Sequence, residues 1–213
     1  MNKKYFGIHR EGWKFFIFFS LLSLFGLLLS SFLFLFFLFL SFFTLWFFRD
    51  PDRHFDSQEN QLLSAADGKI VFIGEARPPE ETDIPYTMKK VSIFMNVLNV
   101  HINRSPLEGN IEKIIYKNGK FFNASLDKAS EYNERNSFII SAGEDKIVVV
   151  QIAGLIARRI LSFISEGCNI DKGDRIGLIR FGSRVDIYFP PSYKIKVNQD
   201  DIVIAGETII AER

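Results

Sequence analysis

The dipeptide Gly182-Ser183 interrupts "LIRFGSRVDIYFP", Leu178 to Pro190, an apolar run that otherwise reads as two short β segments. Glycine has no Cβ, so its carbonyl can be approached closely and its backbone can take strained φ/ψ values. Serine supplies both a nucleophilic hydroxyl and a β-oxygen that can later leave. Inside a strand pattern, such a pair is either a bulge or tight turn, or a bond built to be broken. Two further residues have types that would serve an activated hydroxyl. His101, in "MNVLNVHINRSPLEG", follows an apolar strand and stands near Asn103, Arg104 and Pro106, where a loop can present an imidazole. Asp67 precedes Gly68 in "LLSAADGKI", at the mouth of another strand. Nucleophile, base and base-orienting group are the three parts of an activated-serine constellation. Each also has a plainer reading, a surface imidazole for His101 and a turn dipeptide for Asp67-Gly68. No cluster of His, Cys and carboxylates has ligand spacing, so no metal is expected.

The elements that must position these residues divide the 213-residue chain unevenly. From Phe15 to Phe48 there is no charged residue, and much of the chain's phenylalanine lies there. One straight helix over that run would be about 51 Å long at ~1.5 Å per residue, against a hydrocarbon core of ~30 Å. Gly26 and the pair Ser30-Ser31 lie near its middle, so two short helices joined by a tight turn, a membrane helical hairpin, fit better than one tilted span. Lys3, Lys4, Arg10 and Lys14 precede the run, and Arg49 and Arg53 follow it. By the positive-inside tendency both ends, and the rest of the chain, face the cytoplasm; a single span would put the C-terminal part outside. The run is too long for the apolar region of a cleaved signal peptide. His9 and His54 flank it and are expected to meet headgroups or water.

Residues 1–55 are thus read as a membrane anchor and 56–213 as a compact, mainly β domain of sandwich or barrel-sandwich type. Short β-rich runs recur at Lys69 to Ile73, Val91 to Met95, Ile111 to Tyr116, Ser137 to Ser141, Lys146 to Ile152, Arg175 to Phe181, Val185 to Phe189, Lys194 to Val197 and Asp201 to Ile204, separated by turn residues. Only Asn123 to Arg135 and Leu155 to Ile164 suggest helix. The lone Cys168 excludes an intrachain disulfide, and a net charge of +1 argues against nucleic acid as a partner.

The ordered series "EGW", "FFRDPDR", "SAADGKI", "NVHINRSPLEG", "VVVQIAGLIARRI", "GDRIGLIRFGSRVDIYFP" and "AGETIIA" resembles the short, membrane-bound form of phosphatidylserine decarboxylase nearly end to end. The resemblance implies a proenzyme that cuts itself between Gly182 and Ser183 into a large β chain, 1–182, and a small α chain, 183–213, which stay together as a heterodimer with higher oligomers possible. Ser183 would become a covalent pyruvoyl cofactor. That group would form a Schiff base with phosphatidylserine and yield phosphatidylethanolamine and carbon dioxide. The implied catalytic residues are Ser183, His101 and Asp67. Longer members carry His-x-x-His-x-Pro; here "HINRSP" puts His101 in the first place and Arg104 in the second. Arg104 cannot act as a base at neutral pH, but a guanidinium suits a substrate phosphate or carboxylate. The implied location is a bacterial inner membrane, with basic residues favouring anionic lipid. Two readings compete: a membrane-anchored, lipoyl-like adaptor without catalysis, suggested by "AGETIIA", and a membrane-anchored serine hydrolase using Ser183, His101 and Asp67 as a triad.

Overall fold

A computed structural model of the protein describes residues 4–122, 132–155, 159–180 and 182–213. The chain divides into two units, Met1–Asp52 and Arg53–Arg213.

The first unit opens with the paired strands β1 (Lys4–Tyr5) and β2 (Ile8–His9), followed by helices α1 (Arg10–Leu27) and α2 (Ser31–Phe47). His9 caps α1, its Nδ1 accepting from the amide of Glu11 at 3.4 Å, and Glu11 bonds Lys14 one turn on. Ser30 caps α2, accepting from the amide of Phe32 at 3.1 Å. Small and hydroxyl residues let the two helices approach closely. A Cβ on Gly26 would stand 3.0 Å from the backbone of Leu33, Ser20 and Ser41 hydroxyls meet at 2.7 Å, and Ser23 donates to the Phe34 carbonyl at 2.9 Å.

The two short helices joined by a tight turn are therefore present, but helix length does not support the membrane hairpin expected from sequence. Among the described residues no helix is long and apolar enough to cross a membrane. With 17 residues α2 is about 25 Å long, short of a ~30 Å hydrocarbon core. The 18 residues of α1 begin with Arg10, Glu11 and Lys14, so its apolar length is shorter still. His9, expected in headgroups or water, is buried at the helix cap.

In the second unit the strands are β3 (Gln61–Leu63), β4 (Gly68–Ala76), β5 (Met88–Met95), β6 (Ile102–Arg104), β7 (Gly109–Lys117) and β8 (Arg135–Ala142). They continue as β9 (Asp145–Ala153), β10 (Ile160–Ser162), β11 (Asn169–Ile170), β12 (Arg175–Ile179) and β13 (Ser183–Phe189). The last are β14 (Lys194–Ile195), β15 (Ile202–Val203) and β16 (Ile209–Glu212). Eight form one antiparallel sheet in the order β11-β7-β8-β9-β13-β5-β4-β15; two three-stranded sheets run β10-β12-β6 and β14-β16-β3. The unit is mainly β, as expected. The helix expected at Leu155 to Ile164 is corrected at its described end. Ile160–Ser162 is a strand, because its residues pair with Gly177–Ile179 of β12 and bury Ile160. Of the other expected helix, Asn123 to Glu131 lie outside the described residues, and Arg135 begins β8.

The main core lies between the large sheet and the smaller ones. Val185, Ile187 and Phe189 of β13 join Ile93, Met95, Val149 and Ala153 there, with Leu62, Ile176, Ile179 and Ile210 from the small sheets. Each such side chain contributes about 1.5–3 kcal/mol on burial. The alternate residues of β13 face the other side of the sheet, where Tyr188 packs with Met88, Val148 and Ile152. On that side Asp186 accepts from Arg184 at 2.6 and 3.0 Å and pairs with Lys90 at 3.0 Å, all three buried. Burial alone would raise the Asp186 carboxyl, but Arg184 and Lys90 outweigh it and hold it down at about 2. A carboxylate held below its unfolded value of ~3.9 stabilises the fold above that pH, and this contribution is lost as pH falls from about 4 towards 2. Urea midpoints should fall across that window in the wild type and much less in Asp186→Asn. Asp186→Ala, which strands two buried cations, should lower stability at neutral pH by about 3 kcal/mol or more.

Candidate active site

Three neighbouring strands of the large sheet end together. In β13 Ser183 lies opposite Met95, the last residue of β5, and opposite Ala153, the last of β9. Lys69 of β4 pairs with Phe94, so Gly68 and the preceding Asp67 reach the same end. A small sheet brings in the remaining element. β12 runs antiparallel to β6, with Leu178 opposite Ile102, and the amide of Ile179 donates to the His101 carbonyl at 3.4 Å. The corner from β12 into β13 therefore carries Gly182 past the imidazole.

The Gly182 amide donates to His101 Nε2 at 3.3 Å, while His101 Nδ1 lies 3.0 Å from the Asn99 carbonyl. An amide only donates and a carbonyl only accepts, so the two contacts assign the neutral tautomer with hydrogen on Nδ1 and a lone pair on Nε2. Both His101 and Ser183 are fully buried. Gly182 has φ +65° with open space where a Cβ would stand, so backbone conformation, not crowding, calls for glycine there. The Ser183 hydroxyl donates to the Met95 sulfur at 3.4 Å.

The two carboxylate oxygens of Asp67 accept from the Ala205 amide and from Arg53 Nη2, each at 2.8 Å. Gly68 makes that turn possible, since a Cβ there would stand 2.2 Å from the Phe94 carbonyl oxygen. Arg104 is buried, with Nη1 donating to the Gly173 carbonyl at 2.9 Å, and its side chain crosses the face of Gly206 near Arg53. The geometry thus brings His101 to Gly182 beside Ser183, with Asp67 at the same end of the sheet and paired to Arg53, which with Arg104 flanks Gly206.

Sequence reasoning passed over Met95, Asn103 and Gln151. Their signal was present: Gln151 breaks the apolar run "VVVQIA", and an amide at an inward strand position needs a partner.

The model of the family "Phosphatidylserine decarboxylase" matches residues 40–211. The chain is 47% identical over 213 residues to the phosphatidylserine decarboxylase proenzyme of Xanthobacter autotrophicus, and 48% identical over 215 residues to that of Azorhizobium caulinodans. Each alignment covers 100% of this chain and 91% of the relative. On this extent of likeness the chain belongs to the phosphatidylserine decarboxylase family.

Proposed function

We infer that this chain decarboxylates phosphatidylserine to phosphatidylethanolamine on a pyruvoyl group made from its own Ser183. The observation that carries the site is the His101 lone pair 3.3 Å from the Gly182 amide, beside a buried serine, in a chain whose relatives are named proenzymes.

In the cut, Ser183 Oγ bonds to the Gly182 carbonyl carbon, the C–N bond between the two residues breaks, and the hydroxyl proton ends on the freed nitrogen. The Ser183 Cα then loses a proton as the Gly182 carboxylate departs. Water replaces the amine, and ammonia leaves. His101 is the base for these transfers once its lone pair turns from the Gly182 amide to the hydroxyl, and the Asn99 carbonyl holds the ring through both states. Asp67 adds negative charge at the same sheet end. Residue 183 fits the group it would carry: strand β13 is bonded on both sides, to β5 and β9, so its first residue stays in place when the bond before it is cut. A pyruvoyl carbonyl supplies a sink for the electron pair left as carbon dioxide departs. His101 returns a proton to the carbon that has lost it. Arg104 and Arg53, flanking Gly206, offer cations to the lipid phosphate.

The helical hairpin exposes Ile17, Leu21, Leu24, Phe32, Phe39 and Phe42, too much apolar surface to leave in water. It would enter a bilayer from one side, with Lys14 and Arg49 at the anionic surface, and keep the domain beside its diacyl substrate. In a bacterium this is the cytoplasmic face of the inner membrane.

Purified protein given phosphatidylserine vesicles should release carbon dioxide and phosphatidylethanolamine, and an arylhydrazine, which condenses with ketones, should stop it. Turnover indifferent to the hydrazine would contradict a pyruvoyl enzyme. Labelling by serine-directed probes would revive the hydrolase reading.

A further inference from the structure

We propose that Met95, pinned by a one-way chain of buried amides, is the positioning residue that aims the Ser183 hydroxyl for self-cleavage; this rests on the cleavage reading above. The chain begins at Asn136 of β8, whose Nδ2 donates to Gln151 Oε1 at 3.1 Å. Gln151 Nε2 donates to Asn103 Oδ1 at 2.8 Å, and Asn103 Nδ2 donates to the Met95 sulfur at 3.6 Å. The same sulfur accepts from Ser183 Oγ at 3.4 Å. A thioether carries no hydrogen, so the polarity of the whole chain is settled at that end.

All three amides are nine-tenths buried or more, among valines and isoleucines of the main core. Aliphatic side chains would fill that volume with no hydrogen bond to satisfy, so the amides call for a purpose besides packing. The fold also makes room for them, since a Cβ on Gly177 would stand 2.6 Å from Gln151 Nε2. Methionine alone would be a poor rest for a nucleophile because it has three rotatable bonds; the Asn103 amide fixes where its sulfur lies. A sulfur is also a weak acceptor. It sets the serine rotamer and leaves the hydroxyl proton free to go to His101, where a carboxylate or carbonyl would hold it.

The test is the half-time of chain splitting in freshly translated full-length protein, followed by electrophoresis, with thermal melting alongside. Met95→Leu keeps the bulk and removes the acceptor; splitting should slow by roughly tenfold or more, as for a misplaced reacting group, with an unchanged melting temperature. Should that variant fold poorly, norleucine incorporated at methionine positions in a Met88→Leu background keeps the shape and should slow splitting equally. Hydroxylamine, which cleaves esters, should speed splitting little in either, because the step lost precedes the ester. Splitting at the wild-type rate in a well-folded variant, or an ester trapped readily by hydroxylamine, would overturn the proposal. Wild-type protein that never splits would instead sink the cleavage reading on which it stands.

Discussion

Ser183→Ala is expected to remain one full-length chain and to lose decarboxylation by at least about 10⁴-fold, since a lyase working far above the uncatalysed rate loses its electron sink altogether. The variant should still fold. Ser183 is a small side chain at the end of β13, its ladder to β5 and β9 is made by backbone, and its hydroxyl donates to a sulfur. A melting temperature close to that of an uncut wild-type precursor, with no small chain on a gel, is the expected pair of results. Normal splitting of this variant would show that the cut lies elsewhere.

His101→Ala should lower decarboxylation by about 10²–10⁴-fold, the usual range for a lost general acid–base group, even if some chains still split. Its effect divides into two readouts. The fraction of chains split reports on the transfers at Ser183, and turnover per split chain reports on protonation of the product. His101→Gln, which can still accept from the Gly182 amide and donate to Asn99, preserves the hydrogen bonds but not the basicity. It should match alanine in turnover while restoring stability. Full turnover per split chain in either variant would remove His101 from the chemistry.

The site was only partly legible in the sequence. Gly182 and Ser183 could be picked out because a small pair breaks an apolar run, and the sheet makes that break the corner between β12 and β13. His101 read as a loop residue because it ends a strand-like stretch; the pairing of β6 with β12 that buries it links residues far apart in the chain and leaves no local mark. Asp67 was expected to orient the imidazole. Among the partners of its carboxylate are the Ala205 amide and Arg53, which an Asp-Gly turn dipeptide does not announce in the sequence. Alternating apolar residues located most strands, whereas Ile160–Ser162 carried a helix-like pattern that pairing with β12 overrode. The apolar hairpin was legible from Gly26 and Ser30-Ser31, but the lengths of its helices were not, since they depend on where the charged turn of α1 begins and where α2 ends.

Intact mass spectrometry of the purified protein tests the central claim most directly. Two chains, one ending at Gly182 and one running from residue 183 to Arg213 with a pyruvoyl cap in place of the serine, are the predicted result. A single intact chain with an ordinary Ser183, in protein that nonetheless decarboxylates phosphatidylserine, would contradict it.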